Sequence, residues 1–371
     1  MRQTMPKTYA FVGNLNRNAL PNAGKGISVF RFDDETGDLT LVSEYLAIDN
    51  PGYIAIDEKR RRLYAAVEIP EWNEGMAVAF DIDPATGALT YINMQPTLGN
   101  TTCHLGFDQP GETIFASNYT VAALGERPGN AVAAFAIRAD GGLEPAFAAA
   151  AHDGRNAILP TDKRQHGHCA VVSPDNRTVF VCDLGLDRIM AYKLPSKGGR
   201  LELAATPFTQ LPDGAGPRHM TFHPNGRIAY VINELNSTVS VLHYNAETAG
   251  LTLGQTLPSI PADFTATNTC AEIAVSADGR FLYGSNRGHN SIVSYAIAAD
   301  GSLTLIGWTP SQGLGPRNFV IDPTGRFMLV ANQKGGGIAV FKRDIETGAL
   351  EDTGKRVDLP TPMRMVFGQF E

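Results

Sequence analysis

Five residues able to bind anions or move protons, His168, Arg218, Glu234, Arg287 and Arg317, fall at two recurring positions of a repeated segment in this chain of 371 residues. Three guanidiniums, one carboxylate and one imidazole in a shared concavity suit a small anionic molecule. The fork of an arginine matches carboxylate or phosphate oxygens two at a time. The carboxylate and the imidazole are groups that do acid–base work, typically worth about 10²–10⁴-fold in rate. A strand scaffold needs no charge at either position. Salt bridges between neighbouring units are the plain alternative for any one of the five, and they explain all five together less well.

The elements that must position these residues form a three-part repeat. Its first part is a short alternating segment entering a turn: PGYIAIDEKRR from Pro51, CHLGFDQPGE from Cys103, HCAVVSPDNR from His168, RHMTFHPNGR from Arg218, AEIAVSADGR from Ala271 and RNFVIDPTGR from Arg317. Asp-Pro, Asn-Gly and Asp-Gly are turn chemistry, so each copy reads as a strand entering a hairpin. The second part is an apolar strand closing on a small polar or acidic residue: Asn14, Glu68, Asn118, Asp183, Asn233, Asn286 and Asn332. All of these but Glu68 read as structural caps of the turn. The third part is a strand, a turn and a short edge strand, as in VSVLHYNAETAGLT.

The first part is one copy short until PMRMVFGQF, from Pro362, is counted. The chain thus opens with the second strand of a unit and closes with its first. In a ring this joins the two ends by strand pairing and removes exposed edges. The reading is an all-β, seven-bladed β-propeller with four antiparallel strands per blade. It forms a single domain over 1–371, closed by pairing of the N- and C-terminal strands.

In such blades the start of the innermost strand and the end of the second lie at one rim. One row there reads Gly52, Cys103, His168, Arg218, Ala271, Arg317 and Met363, and the other Leu15, Ile69, Tyr119, Leu184, Glu234, Arg287 and Gln333. His104, His219, Glu272 and Asn318 stand one position along and are expected to face away from the channel axis or toward a neighbouring blade. His166 precedes its strand, within reach of the mouth.

Composition excludes other classes. Lys and Arg total 31 against 38 Asp and Glu, a net charge of −7 that argues against a nucleic-acid binder. No apolar run approaches the roughly 20 residues that span a bilayer. No secretory signal is read at the N-terminus, and Cys103, Cys169, Cys182 and Cys270 lack any CxxC spacing, so they read as reduced thiols of a cytoplasmic protein. A rim with more Arg than carboxylate repels cations, so no metal is expected. No Gly pair is followed by a helix, so neither a phosphate loop nor a cofactor is expected. Cys169 follows His168 directly on a strand, which points their side chains to opposite faces and weakens a Cys–His nucleophile. Monomer and small homo-oligomer both stay open.

Three stretches, HCAVVSPDNRTVFVCDLGLDRI, GAGPRHMTFHPNGRIAYVINELNSTVSV and PRNFVIDPTGRFMLVANQ, resemble the seven-bladed lactonase family, which holds propeller-type 6-phosphogluconolactonases and fungal 3-carboxy-cis,cis-muconate cyclases. The resemblance implies catalytic roles for His168, for Arg218 in GPRH, for Glu234 in NELN and for Arg287. Arg317 lies in a similar motif and joins His166, His104 and Gln333 as candidate substrate contacts. The departure is an insertion in the third blade, about 119–130 and 152–165, which is expected to alter or cover the mouth.

The leading expectation is a metal-independent hydrolase that opens an anionic sugar-acid lactone, 6-phosphoglucono-δ-lactone first. Either Glu234 or His168 serves as the base while Arg218 and Arg287 hold the anion. An unphosphorylated lactone, closure of a carboxymuconate, and a non-catalytic binding propeller are the alternatives.

Overall fold

Each repeat folds into strands because its apolar residues alternate or run for four to six positions between turn pairs. Ile228–Asn233, for example, is buried throughout, as a strand covered on both faces must be. A computed structural model describes residues 6–17, 25–119, 129–152 and 164–371, and among them there is no helix. None is therefore long and apolar enough to cross a membrane.

Seven four-stranded antiparallel sheets follow one another. In the first blade the order is Pro362–Phe370, Lys7–Asn14, Ile27–Phe32 and Leu39–Tyr45, so the last strand of the chain is the innermost strand of the first blade. Blades two to seven span 51–96, 102–150, 167–210, 217–258, 270–310 and 314–357. Their innermost strands touch in sequence and return to Pro362–Phe370, which closes the ring around a central channel.

The apolar residues collect between blades. Each blade–blade junction has its own cluster, such as Tyr9, Phe11, Ile54 and Leu63 between the first two blades and Ala10, Phe327 and Leu329 between the last and the first. Tyrosines of second strands stitch the junctions. The hydroxyls of Tyr9, Tyr64, Tyr230 and Tyr283 donate to Ala85, Gly141, Gly301 and Gly348 carbonyls of the next blade at 2.7 to 3.0 Å. Gly301 sits at φ 85°, and a Cβ there would lie 2.2 Å from Ile228 Cδ1, so turn and junction both require glycine.

Every innermost strand carries a β-bulge at its start. The pairing skips Gly52, Cys103, His168, Arg218, Arg317 and Met363, and in the sixth blade Ala271 with Glu272. These are the residues of the first rim row. A bulge re-aims side chains and ends the regular alternation of faces.

The pairing also corrects the second row. Asn14, Asn118, Asp183, Asn233, Asn286 and Asn332 pair with the residue before the bulge, and in the second blade that place belongs to Val67, not Glu68. The rim residue of this blade is therefore Glu68. Ile69, expected there, is 1% exposed and packs into the junction of the first two blades.

Candidate functional site

Glu234 follows the second strand of the fifth blade, and Arg287 follows that of the sixth. Arg218 is the bulge residue of the fifth. The repeat thus brings two guanidiniums onto one carboxylate. Glu234 Oε2 lies 2.8 Å from Arg218 Nε and 2.9 Å from Arg287 Nη2. Arg287 Nη2 also donates to Cys270 O at 2.8 Å, and Arg218 Nη1 to Ala271 O at 2.8 Å, so main-chain carbonyls fix both guanidiniums. Burial pushes the Glu234 carboxyl up, but Arg287, Arg218 and Arg317 outweigh it and leave its pKa below the ordinary value. Burial and the nearby Arg218 bring Arg287 down to about 10.

Arg317, the bulge residue of the seventh blade, reaches across the mouth to Glu68, with Nη2 3.3 and 3.4 Å from its two oxygens. His168 is 4% exposed. Burial, then the charges of Arg218 and Arg317 and the neighbouring His219, hold its pKa well below the ordinary value, so it is neutral near pH 7. Among the described residues its Nδ1 has no hydrogen-bond partner.

Tyr119 links the rest of the rim. Its ring stacks on His166 at 4.3 Å and meets His168 edge-on at 5.8 Å, while His166 Nδ1 lies 2.6 Å from Tyr119 O. The bases of the two inserted loops are tied together here. His152 Nδ1 lies 2.5 Å from Asp183 Oδ2, His152 N donates to Gln165 Oε1 at 2.6 Å, and Gln165 Nε2 donates to Gly129 O at 2.6 Å. Residues 120–128 and 153–163, the expected cover of the mouth, lie outside the described residues. Gln333 stands on the rim, half-buried, and among the described residues no hydrogen bond joins it to the cluster.

Below the mouth His104, His219, Glu272 and Asn318 take the second of the two expected directions, reaching toward neighbouring blades and not away from the axis. Together with Tyr53, Cys169 and Arg364, one from each blade, they form a ring across the channel. Arg364 lies over the Tyr53 ring at 4.6 Å, Tyr53 meets His104 at 4.3 Å between ring centres, and His104 Nε2 lies 3.3 Å from Cys169 Sγ. His219 Nδ1 lies 3.1 Å from Glu272 Oε1, and Glu272 Oε2 accepts from Asn318 Nδ2 at 2.5 Å and from Arg364. The bulge is the cause, since it lets two consecutive residues, such as Arg218 and His219, both approach the channel. His104 therefore lies under the mouth, with Nδ1 accepting from Ala170 N and Nε2 engaged by Cys169. Arg218 Nη1 rests 3.2 Å from His219 Nε2, which couples ring and mouth. On the far side the ring floors a second opening of about 580 Å³ with apolar walls including Ile273, Phe319 and Val366.

Tyr119 and Glu68 escaped the list of sequence candidates. Tyr119 was in the rim row without a charge to single it out. Glu68 was hidden by a register set on polar strand ends. Among the described residues no group of three or more His, Cys, Asp or Glu is placed to hold a metal ion.

Comparison with known proteins agrees with the fold. Residues 9–367 match the family model "Lactonase, 7-bladed beta-propeller". The chain is 33% identical over 364 residues to a 6-phosphogluconolactonase of Bacillus subtilis (strain 168), covering 98% of this chain and 99% of that one. A 6-phosphogluconolactonase of Formosa agariphila is 35% identical over 338 residues, 88% and 91% of the two chains. A periplasmic gluconolactonase of Pseudomonas aeruginosa superposes with a TM-score of 0.89 at 30% identity, covering 97% and 99%.

Proposed function

Since the chain belongs to the seven-bladed β-propeller lactonase family, we propose that this lactonase hydrolyses 6-phosphoglucono-δ-lactone to the open acid at the Glu234 mouth. The observation that carries the reading is the joint hold of Arg218 and Arg287 on one carboxylate, with Arg317 alongside. A lone cluster of guanidiniums would repel itself. Glu234 offsets that repulsion and fixes two donors at a place where a phosphate and a developing oxyanion both need positive charge.

Water attacks the lactone carbonyl carbon, negative charge grows on the carbonyl oxygen, and the bond to the ring oxygen then breaks. Arg218, with least side-chain freedom at 3% exposure, is suited to the oxyanion, and Arg287 and Arg317 to the phosphate. Fixed donors aimed at developing charge are usually the largest catalytic contribution. His168, neutral, adds a hydrogen-bonding group without adding charge. Four buried, unpaired cysteines suit a reducing compartment, where phosphorylated sugar acids are found.

The test is hydrolysis of 6-phosphogluconolactone beside glucono- and galactono-lactones, each corrected with a matched enzyme-free blank. Glu234→Gln is expected to lower kcat/KM on the phosphorylated lactone about 100-fold or more, because it loosens the guanidinium donors that Glu234 holds in place, and loss of one preorganised oxyanion donor costs about that much. Preference for an unphosphorylated lactone would keep the chemistry and change the substrate. Absence of turnover on every lactone would overturn the reading.

A further inference from the structure

The mouth holds a second carboxylate, and its surroundings differ from those of Glu234. By strand pairing Glu68 occupies in the second blade the place that Glu234 and Arg287 occupy in the fifth and sixth. In its own blade Asn50 holds its main chain, with Nδ2 donating to Glu68 O at 3.2 Å. The bulge residue there is Gly52, and a Cβ on Gly52 would lie 2.4 Å from Glu68 Oε2 and 2.9 Å from Glu68 Cβ. Glycine at this one bulge is what admits a carboxylate to the channel wall.

The two carboxylates also differ in how their charge is balanced. Glu234 is gripped by two guanidiniums at 2.8 and 2.9 Å, whereas among the described residues Glu68 meets one, Arg317, at 3.3 to 3.4 Å. Each close guanidinium favours the ionised carboxylate and opposes proton uptake. Side-chain exposure is nearly equal, 17% for Glu68 and 16% for Glu234, so access does not separate them. Arg317 joins them into one cluster, since its charge acts on Glu234 as well.

We propose that Glu68 is the proton acceptor of the lactonase reaction and Glu234 the fixed anchor of the guanidiniums. The assignment rests on the lactonase reading above. Glu68 takes a proton from water as the water oxygen bonds to the carbonyl carbon. It returns that proton to the ring oxygen as the carbon–oxygen bond breaks, so it ends as it began, and the product acid ionises into solvent.

The experiment measures kcat and KM across pH for wild type, Glu68→Gln, Glu68→Asp, Glu68→Gly and Glu234→Gln, with thermal melts on each. Glu68→Gln is expected to lower kcat about 10²–10⁴-fold, the usual worth of a general base, with KM changed less than about threefold. Its acid limb should vanish from the pH profile. Added formate should restore part of the Glu68→Gly rate, an effect that a structural role would not produce. Glu68→Asp keeps the acid limb and loses only part of kcat, and it serves if the neutral variants melt early. Retention of wild-type kcat by Glu68→Gln, or loss of kcat with no formate rescue and an unchanged acid limb in the Asp and Gln variants, overturns the assignment. Wild type inactive on all lactones overturns the lactonase reading itself, a result that no Glu68 variant can mimic.

Discussion

Glu272 shows what a single side chain does in the channel ring. Its carboxylate receives Asn318 and Arg364 on one oxygen and His219 on the other, at 6% exposure. Burial pushes its pKa up, but Arg364 and His219 more than offset this and hold it far below the ordinary value. Breaking such a buried pair strands the partner charge, so Glu272→Gln should cost about 3 kcal/mol or more in urea unfolding. His219 is brought down to about 4, by burial first and then by Arg218. The unfolded chain takes up that proton near pH 6.5 and the native one only near 4. Stability must therefore fall as pH drops through this window. In His219→Gln the part of the slope due to this group should disappear, whereas an unchanged slope would show that other groups set it. Spacing alone revealed the charged residues of the mouth. It did not reveal Glu68, because Val67 holds the asparagine place in that blade, nor the inward turn of His219 and Glu272, because alternation does not signal a bulge.

Strands were the most readable level. Alternating apolar runs and turn pairs located the blades. Of the strand-end asparagines, Asn14 and Asn118 bond carbonyls of the segment that follows, Gly26 O and Asn130 O, as expected. Asn118 also reaches back, as Asn286 and Asn332 do, to the segment arriving from the preceding blade; these three donate through Nδ2 to Thr97, Ser259 and Ser311 carbonyls at 2.8 to 3.0 Å. The outer strand of the third blade is an exception. It shrinks to Ala148–Ala150, since Pro145 just before it has no N–H for a ladder. Junction tyrosines yield a prediction for whole elements. Tyr230→Phe removes the 3.0 Å bond to Gly301 O between the fifth and sixth blades and keeps the ring packed. Unfolding free energy should drop by about 1 kcal/mol, with activity unchanged because the junction lies away from the mouth. A fall in kcat/KM beyond twofold would show that blade spacing feeds through to the arginines.

The ring as a whole depends on its seam. Lys7–Asn14 pairs on one side with Ile27–Phe32 and on the other with Pro362–Phe370. The latter strand carries Met365 into one junction core, Val366 and Phe370 into another, and Arg364 into the channel ring. Removal of residues 362–371 should therefore abolish cooperative unfolding and favour association through the bared edge, as read by circular dichroism and size-exclusion chromatography. Recovery of the fold on adding that strand as a separate peptide would show that the seam needs contact and not continuity. The missing copy of the repeat made this closure readable from sequence.

The seam has a mechanical consequence. Lys7 pairs with Phe370 at one end of an antiparallel ladder whose other end, at Asn14, borders the mouth. A pull applied through Lys7 and Phe370 meets the hydrogen bonds one pair at a time, because these bonds run across the strands and along the load. The two strands then peel apart as a zipper does, instead of resisting in parallel as a sheared ladder would. Tension on its ends thus opens the ring at low force, at the very join that closes it at rest.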